Sequence, residues 1–203
     1  MLVMNNYCLR RLRYAFNMND KLMLKIFDLV NYKLSVEELQ RYLHKEEHKD
    51  YVIMPDYLLC IFLDGFIQFK RGKKEGEEEL TQAERVASSK KQKLNNNVIV
   101  NKIKIALSLK AEDLIEILKL ADFRISKSEI SAFFRKPSHR NYRECGNQFL
   151  RNMLTGITSK YQTKQKAFKK VEKPAKNDKP VEKSKTDYKN KPGYKGKSNT
   201  ATK

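Results

Sequence analysis

Residues 5–66 and 96–157 of this chain align without a gap at a constant offset of 91. Asn5-Asn6 recurs as Asn96-Asn97, Ala15 as Ala106, Ile26 as Ile117, and Ser35 and Glu38 as Ser126 and Glu129. Lys45, His48 and Tyr51 recur as Lys136, His139 and Tyr142, and Leu59, Leu63 and Gly65 as Leu150, Leu154 and Gly156. A period this long marks a duplicated, domain-sized unit, because solenoid repeats recur every ~20–50 residues. Units of roughly 65–70 residues sit near the lower size limit of a self-sufficient core, so the two are expected to pack against each other with pseudo-twofold symmetry.

The apolar residues of each unit recur at helical rather than alternating spacing, which predicts an all-α fold of four helices per repeat. Leu9, Leu12 and Phe16 mark the first helix, with Val100, Ile103 and Leu107 in the second copy. Leu22, Ile26 and Val30 mark the second helix, matched less regularly by Asp113, Ile117 and Ala121, where Leu114 and Leu118 supply the apolar face. The third helix is predicted to open at Ser35 and Ser126. In each case a serine with a glutamate three positions on, Glu38 or Glu129, can satisfy free backbone donors reciprocally. The fourth is predicted to start near Pro55 and Gly146 and to bury Leu58, Leu59, Phe62, Leu63 and Phe66, matched by Phe149, Leu150, Met153, Leu154 and Ile157. Proline fits a first helical turn, where its missing donor would have no partner anyway.

These patterns divide the chain into a first repeat over 1–72, a polar linker over 73–94, a second repeat over 95–159 and a Lys-rich tail over 160–203. The linker holds a short helix after Thr81, capped with Glu84. The tail has fifteen lysines against four acids, which accounts for +11 of the formal charge of +19. Such a composition buries too little apolar surface to offset the cost of ordering it, so the tail is read as disordered.

A chain with this charge is attracted to polyanions whatever its fold, which makes nucleic acid the leading partner class. Three cysteines, Cys8, Cys60 and Cys145, sit at positions that do not correspond between the repeats. This argues against a disulfide framework and for a reducing compartment, the cytoplasm. The apolar run before Arg10, Arg11 and Arg13 is too short for a signal-peptide core, and the longest apolar stretch, Tyr57 to Phe69, falls short of the ~20 residues of a bilayer-spanning helix. No membrane partner is expected.

Asn95-Asn96-Asn97, the run Ile105 to Lys110, and Asn141 to Arg151 (NYRECGNQFLR) together resemble the bacterial YehS family, as do Phe62-Leu63-Asp64-Gly65 and Lys70-Arg71-Gly72-Lys73. The resemblance covers residues 1 to about 160 and leaves the lysine tail outside it. It implies the same tandem duplication in a cytoplasmic bacterial protein. The family is one of unknown function, so no catalytic residue is carried over.

The second and third helices with the turn between them have the spacing of a helix-turn-helix. In the second copy Ile115 to Leu120 would be the supporting helix, and Ser126 to Arg135 would present Lys127, Ser128, Ser131 and Arg135 to a groove. The bland reading is that two such helices are ordinary content of a bundle. Lys136, His139, Arg140 and Arg143 form a basic cluster before the last helix, where a phosphate would fit unless Arg143 simply pairs with Glu144 on a solvated surface. With Lys169 and Lys170 of the tail, the predicted nucleic-acid-binding set is Lys127, Ser128, Ser131, Arg135, Lys136, Arg140, Arg143, Lys169 and Lys170.

His44-Lys45-Glu46-Glu47-His48 matches an H-x-x-E-H zinc pattern, but Arg135 replaces His44 in the second copy, Pro137 interrupts the helix there, and no third ligand is evident. His48 and His139 are instead read as structural residues of a turn. Cys145 near a helix start is a formal candidate for a thiolate nucleophile, yet Met54 takes its place in the first copy and cysteine is most often a small buried apolar residue. The chain has no Gly-rich phosphate loop and no paired-cysteine zinc knuckle. No catalytic residue, metal or cofactor is expected. The expected activity is non-catalytic nucleic-acid binding to RNA or DNA, and the alternative is a protein-interaction adaptor whose tail keeps it in solution.

Overall fold

The computed structural model describes residues 4–76 and 79–171, with side chains to Gln162, and contains nine helices and no strand among them. The first repeat comprises α1 (Met4–Ala15), α2 (Asp20–Asp28), α3 (Val36–Leu43) and α4 (Asp56–Arg71). α5 (Gln82–Lys91) lies in the linker, and the second repeat comprises α6 (Asn96–Ala106), α7 (Ala111–Lys119), α8 (Lys127–Phe133) and α9 (Asn147–Val171). The starts of α2, α3 and α4 recur in α7, α8 and α9 at the sequence offset, and the punctuation recurs with them. Ser35 and Ser126 each accept from the backbone N–H of a glutamate, Glu38 or Glu129, whose carboxylate accepts from the serine N–H in return. The same box, Thr81 with Glu84, opens α5.

The ends recur as well. Asn17 and Ser108 close α1 and α6 with φ of 49° and 53°, and Asn31 and Asp122 follow α2 and α7 with φ of 56° and 53°. The left-handed turn lets the next N–H reach back across the helix end, Met18 to Arg13 at 2.9 Å and Leu109 to Lys104 at 3.0 Å. Each such bond satisfies a carbonyl that the helix leaves without a partner.

Packing between the repeats is reciprocal. α1 lies along α9 and α6 along α4, so the first helix of each repeat is seated chiefly on the last helix of the other. The predicted pseudo-twofold body is therefore intertwined, with one continuous core running from Leu9 and Leu12 through Phe62 and Phe66 to Val100, Leu150 and Leu154. Gly65 and Gly156 permit the close approach of α4 to α2 and of α9 to α7. A Cβ on either would stand 2.1 Å from the Ile26 carbonyl oxygen or 1.9 Å from that of Ile117.

Two segments differ from the sequence expectation. The linker helix α5 packs on α4, with Ser89 buried and the Cys60 thiol donating to Gln92 Oε1 at 3.1 Å, so this part of the linker belongs to the body. The last helix does not stop near residue 159. It continues to Val171, and Tyr161 lies on Phe16 with ring centroids 4.7 Å apart, because α9 is long enough to pass the end of α1. The tail beyond Val171 lies outside the described residues.

Candidate functional site

The residues that recur most faithfully build the frame beneath the site. Asn6 and Asn97, both buried, each donate twice and accept once. Asn6 Nδ2 reaches the carbonyls of Tyr42 (2.9 Å) and Val52 (2.8 Å) while Oδ1 accepts from Met54 N (2.9 Å). Asn97 does the same with Phe133 O (2.9 Å), Arg143 O (2.9 Å) and Cys145 N (2.8 Å). One amide on the first helix thus ties the end of the third helix to the extended segment that leads into the fourth. Such a polar group tolerates burial because all its bonds are made. His48 and His139 hold the intervening turn, each accepting a backbone N–H at Nδ1, from Asp50 and Asn141, at 3.1 Å.

On this shared frame the second repeat carries a basic cleft of about 590 Å³. Arg135, Arg140 and Arg143 line it together with Ser126, Ser128 and Tyr142. The one carboxylate in its wall, Glu129, is already engaged. The Ser126 hydroxyl and backbone N–H hold it below the usual carboxylate range, and the charge of Arg143 acts in the same direction. Among the described residues none of the three arginines forms an ion pair, and Arg143 does not pair with Glu144. In the first repeat the corresponding positions hold Glu37, Glu38 and Asp50 against Arg41 and Lys49, with His44 and Val52 in place of Arg135 and Arg143. The duplicated frame is therefore basic on one side only.

Of the predicted set, Ser128, Arg135, Arg140 and Arg143 come together. Lys127 points elsewhere and pairs with Glu112 at 2.5 Å, while Ser131 and Lys136 are exposed outside the cleft. Lys169 and Lys170 fall on the distal part of α9, beyond the described side chains. The proposed recognition helix is shorter than expected. α8 ends at Phe133, so Arg135 lies past the helix and the arginines come from the loop that follows it. Pro137 and the His139 turn hold that loop away from helical geometry.

A second cleft of about 450 Å³ opens at the junction of the repeats, between α4, α6 and the end of α8. Arg135 and Tyr142 line both clefts, so the two are contiguous. Sequence reasoning missed this cleft because Gln92, Asn101 and Phe134 meet only through the seating of α6 on α4, which leaves no local pattern. The Asp64–Lys102 ion pair lies in its floor.

The two chemistries weighed from sequence resolve differently. Burial pushes the Cys145 thiol up to about 12, and the Cys8 thiol likewise, which is the opposite of what a thiolate nucleophile requires. At the zinc-like pattern Asp50 does supply a third group near His44 and His48, the donor atoms lying within 4.8 Å of one another. The imidazoles of His44 and His48 stack at 3.7 Å, however, and His48 Nδ1 already accepts the Asp50 N–H. His139 makes the same bond where the other two ligands are absent, so the shared geometry belongs to the turn.

A family model described as protein of unknown function (DUF1456) matches twice, over residues 5–72 and 96–162. The chain belongs to this family. The two matches coincide with the two structural repeats, so each match in this chain spans one four-helix repeat with its asparagine clamp. The DUF1456 chain is also similar to the uncharacterized protein YehS of Escherichia coli (strain K12), 37% identical over 163 residues, which cover 80% of this chain and 99% of that protein. In this DUF1456 member the family matches end at residue 162, ahead of most of its lysine-rich end. No solved structure matches. Among the described residues no helix is long and apolar enough to cross a membrane.

Proposed function

We propose that this protein is a non-catalytic, cytoplasmic nucleic-acid-binding protein that holds phosphates of RNA or DNA in the Arg135, Arg140 and Arg143 cleft. The observation that carries this reading is the convergence of three guanidinium groups, none of them ion-paired among the described residues, around a cleft in which the one described carboxylate is occupied by a helix cap. Guanidinium presents fixed, forked donors that match phosphate oxygens two at a time, which a lysine cannot do. The Lys-rich end, including Lys169 and Lys170, adds attraction through counterion release with little sequence preference. Ser128, which also lines the cleft, donates its hydroxyl to Ser126 Oγ at 3.0 Å, because Ser126 itself donates to Glu129, and so supports the cap that occupies the carboxylate.

The test is binding of the full chain to duplex DNA and to structured RNA across a salt series, for the unaltered protein and for Arg140→Ala/Arg143→Ala. Each lost phosphate contact lowers the slope of log affinity against log salt by about one, so the double variant is expected to bind more weakly with a slope shallower by about two. Unchanged affinity and slope in the double variant would remove the cleft from the interaction. No binding by the unaltered chain, together with a protein partner that survives nuclease treatment, would support the adaptor reading.

A further inference from the structure

The junction cleft differs in character from the arginine cleft that adjoins it. Its walls carry side-chain amides and aromatic rings, chiefly Gln92, Asn95, Asn101, Phe133, Phe134 and Tyr142. Among the described residues the Asn101 amide makes no hydrogen bond. Among these residues Gln92 and Asn95 use only their oxygens, Gln92 for the Cys60 thiol and Asn95 to cap α6 at Val98 N. The cleft is thus lined by amides with free hydrogen-bonding capacity beside three half-buried rings, Phe133 against Phe149, Phe134 with Lys104 Nζ 4.9 Å from its centroid, and Tyr142. Asp64, the carboxylate in the floor, is tied to Lys102 and has no free negative charge to offer a cationic ligand. A cleft of about 450 Å³ is in the range of small-ligand sites.

An amide presents a donor and an acceptor side by side, which matches the edge of adenine. Aromatic rings stack on a base that has left its helix. Because Arg135 and Tyr142 border both clefts, the amides of the junction cleft are the neighbouring surface open to the base of a nucleotide whose phosphate sits on the arginines. From this, and resting on the phosphate-binding reading above, we infer that the junction cleft takes an unpaired adenine of the strand held by the arginine cleft. The partner is then a nucleic acid with a bulged or looped base rather than a uniform duplex.

The first repeat lacks this capacity. The positions of Val98, Asn101 and Ile105 are taken there by the bulkier Tyr7, Arg10 and Tyr14, and Arg11 and Arg151 lie over the Tyr7 ring at 6.0 and 5.9 Å. Gln92 comes from the linker, which the chain contains once. The base site is thus expected only on the side that carries the arginines.

The experiment compares two RNA hairpins that are identical except for one bulged adenosine, titrated against the full chain. The bulged hairpin is expected to bind roughly tenfold more tightly, the scale of one stacked and hydrogen-bonded base. Val98→Tyr, which places the first repeat's residue in the cleft, and Asn101→Ala, an exposed position where folding is not at stake, should both erase that difference. Binding of the paired hairpin should stay as it was. Equal affinity for the two hairpins, with binding still sensitive to Arg140→Ala/Arg143→Ala, would overturn the base site and leave the phosphate reading standing. A preference that survives both cleft variants would also overturn it, because the base would lie elsewhere. Binding to duplex DNA but to neither hairpin would overturn this inference alone, and binding to none of the three would overturn the phosphate reading with it.

Discussion

Lys102 on α6 donates to Asp64 on α4, and its counterpart at the pseudo-twofold position is Arg11 Nη2 on α1 donating to Thr155 Oγ1 on α9 at 3.2 Å. Both bonds bridge the seam between the repeats, and both acceptors directly precede the close-approach glycines, Gly65 and Gly156. The first bridge is ionic and the second is not. The Lys102 side chain is only 13% exposed and that of Asp64 28%, so Asp64→Ala leaves a largely buried ammonium unpaired. This should cost roughly 1–3 kcal/mol. Thr155→Ala should cost less, because Arg11 loses only one neutral acceptor. Urea unfolding of the two variants measures the difference, and equal costs would contradict the account.

Asn97→Ala removes three bonds at once and strands Phe133 O, Arg143 O and Cys145 N. A loss of roughly 2–4 kcal/mol is expected, and a similar loss for Asn6→Ala. Because Asn97 also holds the Arg143 backbone, its variant should weaken nucleic-acid binding where the Asn6 variant does not. Chemical denaturation and the salt-series titration separate the two effects.

Gly65→Ala and Gly156→Ala each push a methyl into a backbone carbonyl, which cannot move as a side chain can. Overpacking of this kind costs roughly 1–3 kcal/mol or more. Thermal unfolding should show a lower Tm for both variants, and a neutral result at either position would mean that the helices separate at little cost.

Ser108 holds φ at 53° at the end of α6, a conformation that strains a side chain and that glycine adopts freely. Ser108→Gly should therefore stabilise the fold by about 1 kcal/mol, read as a higher denaturation midpoint with unchanged slope. The turn is exposed, so no packing is lost in the exchange.

Burial raises the thiols of Cys8 and Cys145 from their ordinary value of 9.0 to about 12. The folded state thus holds these protons more tightly than the unfolded chain does. The stability this contributes is fully present below pH 9 and declines as pH rises toward 12. Denaturation midpoints measured from pH 8 to 11 should fall, and Cys8→Ala/Cys145→Ala should flatten part of the decline. At pH 8 both thiols should react with iodoacetamide far more slowly in the folded than in the unfolded chain.

Several features were legible before any fold was known because they depend on residues only a few positions apart. The capping boxes at Ser35, Thr81 and Ser126 need a hydroxyl and a carboxylate three residues on, and the apolar stripes need only the helical period. The basic cluster of Arg140 and Arg143 was visible for the same reason. α8 is shorter than its sequence pattern implies, since Phe134 and Arg135 continue the helical spacing while the loop geometry that follows Phe133 does not. The end of α9 lies beyond the sequence expectation, because its polar residues read as tail and the contact of Tyr161 with Phe16 joins the last helix to the first.

By itself the sequence determined that the protein is a doubled unit of four helices, where most of those helices begin, and that charge accumulates on the second copy and the tail. Only the tertiary structure decided which repeat each first helix is seated on. The apolar faces of α1 and α6 are alike, and local pattern is equally satisfied by packing within a repeat or across to the other one. That choice brings α6 onto α4, sets Lys102 against Asp64, and joins the amide cleft to the arginine cleft at Arg135 and Tyr142. Such contacts link residues dozens of positions apart and arise only when the whole core closes.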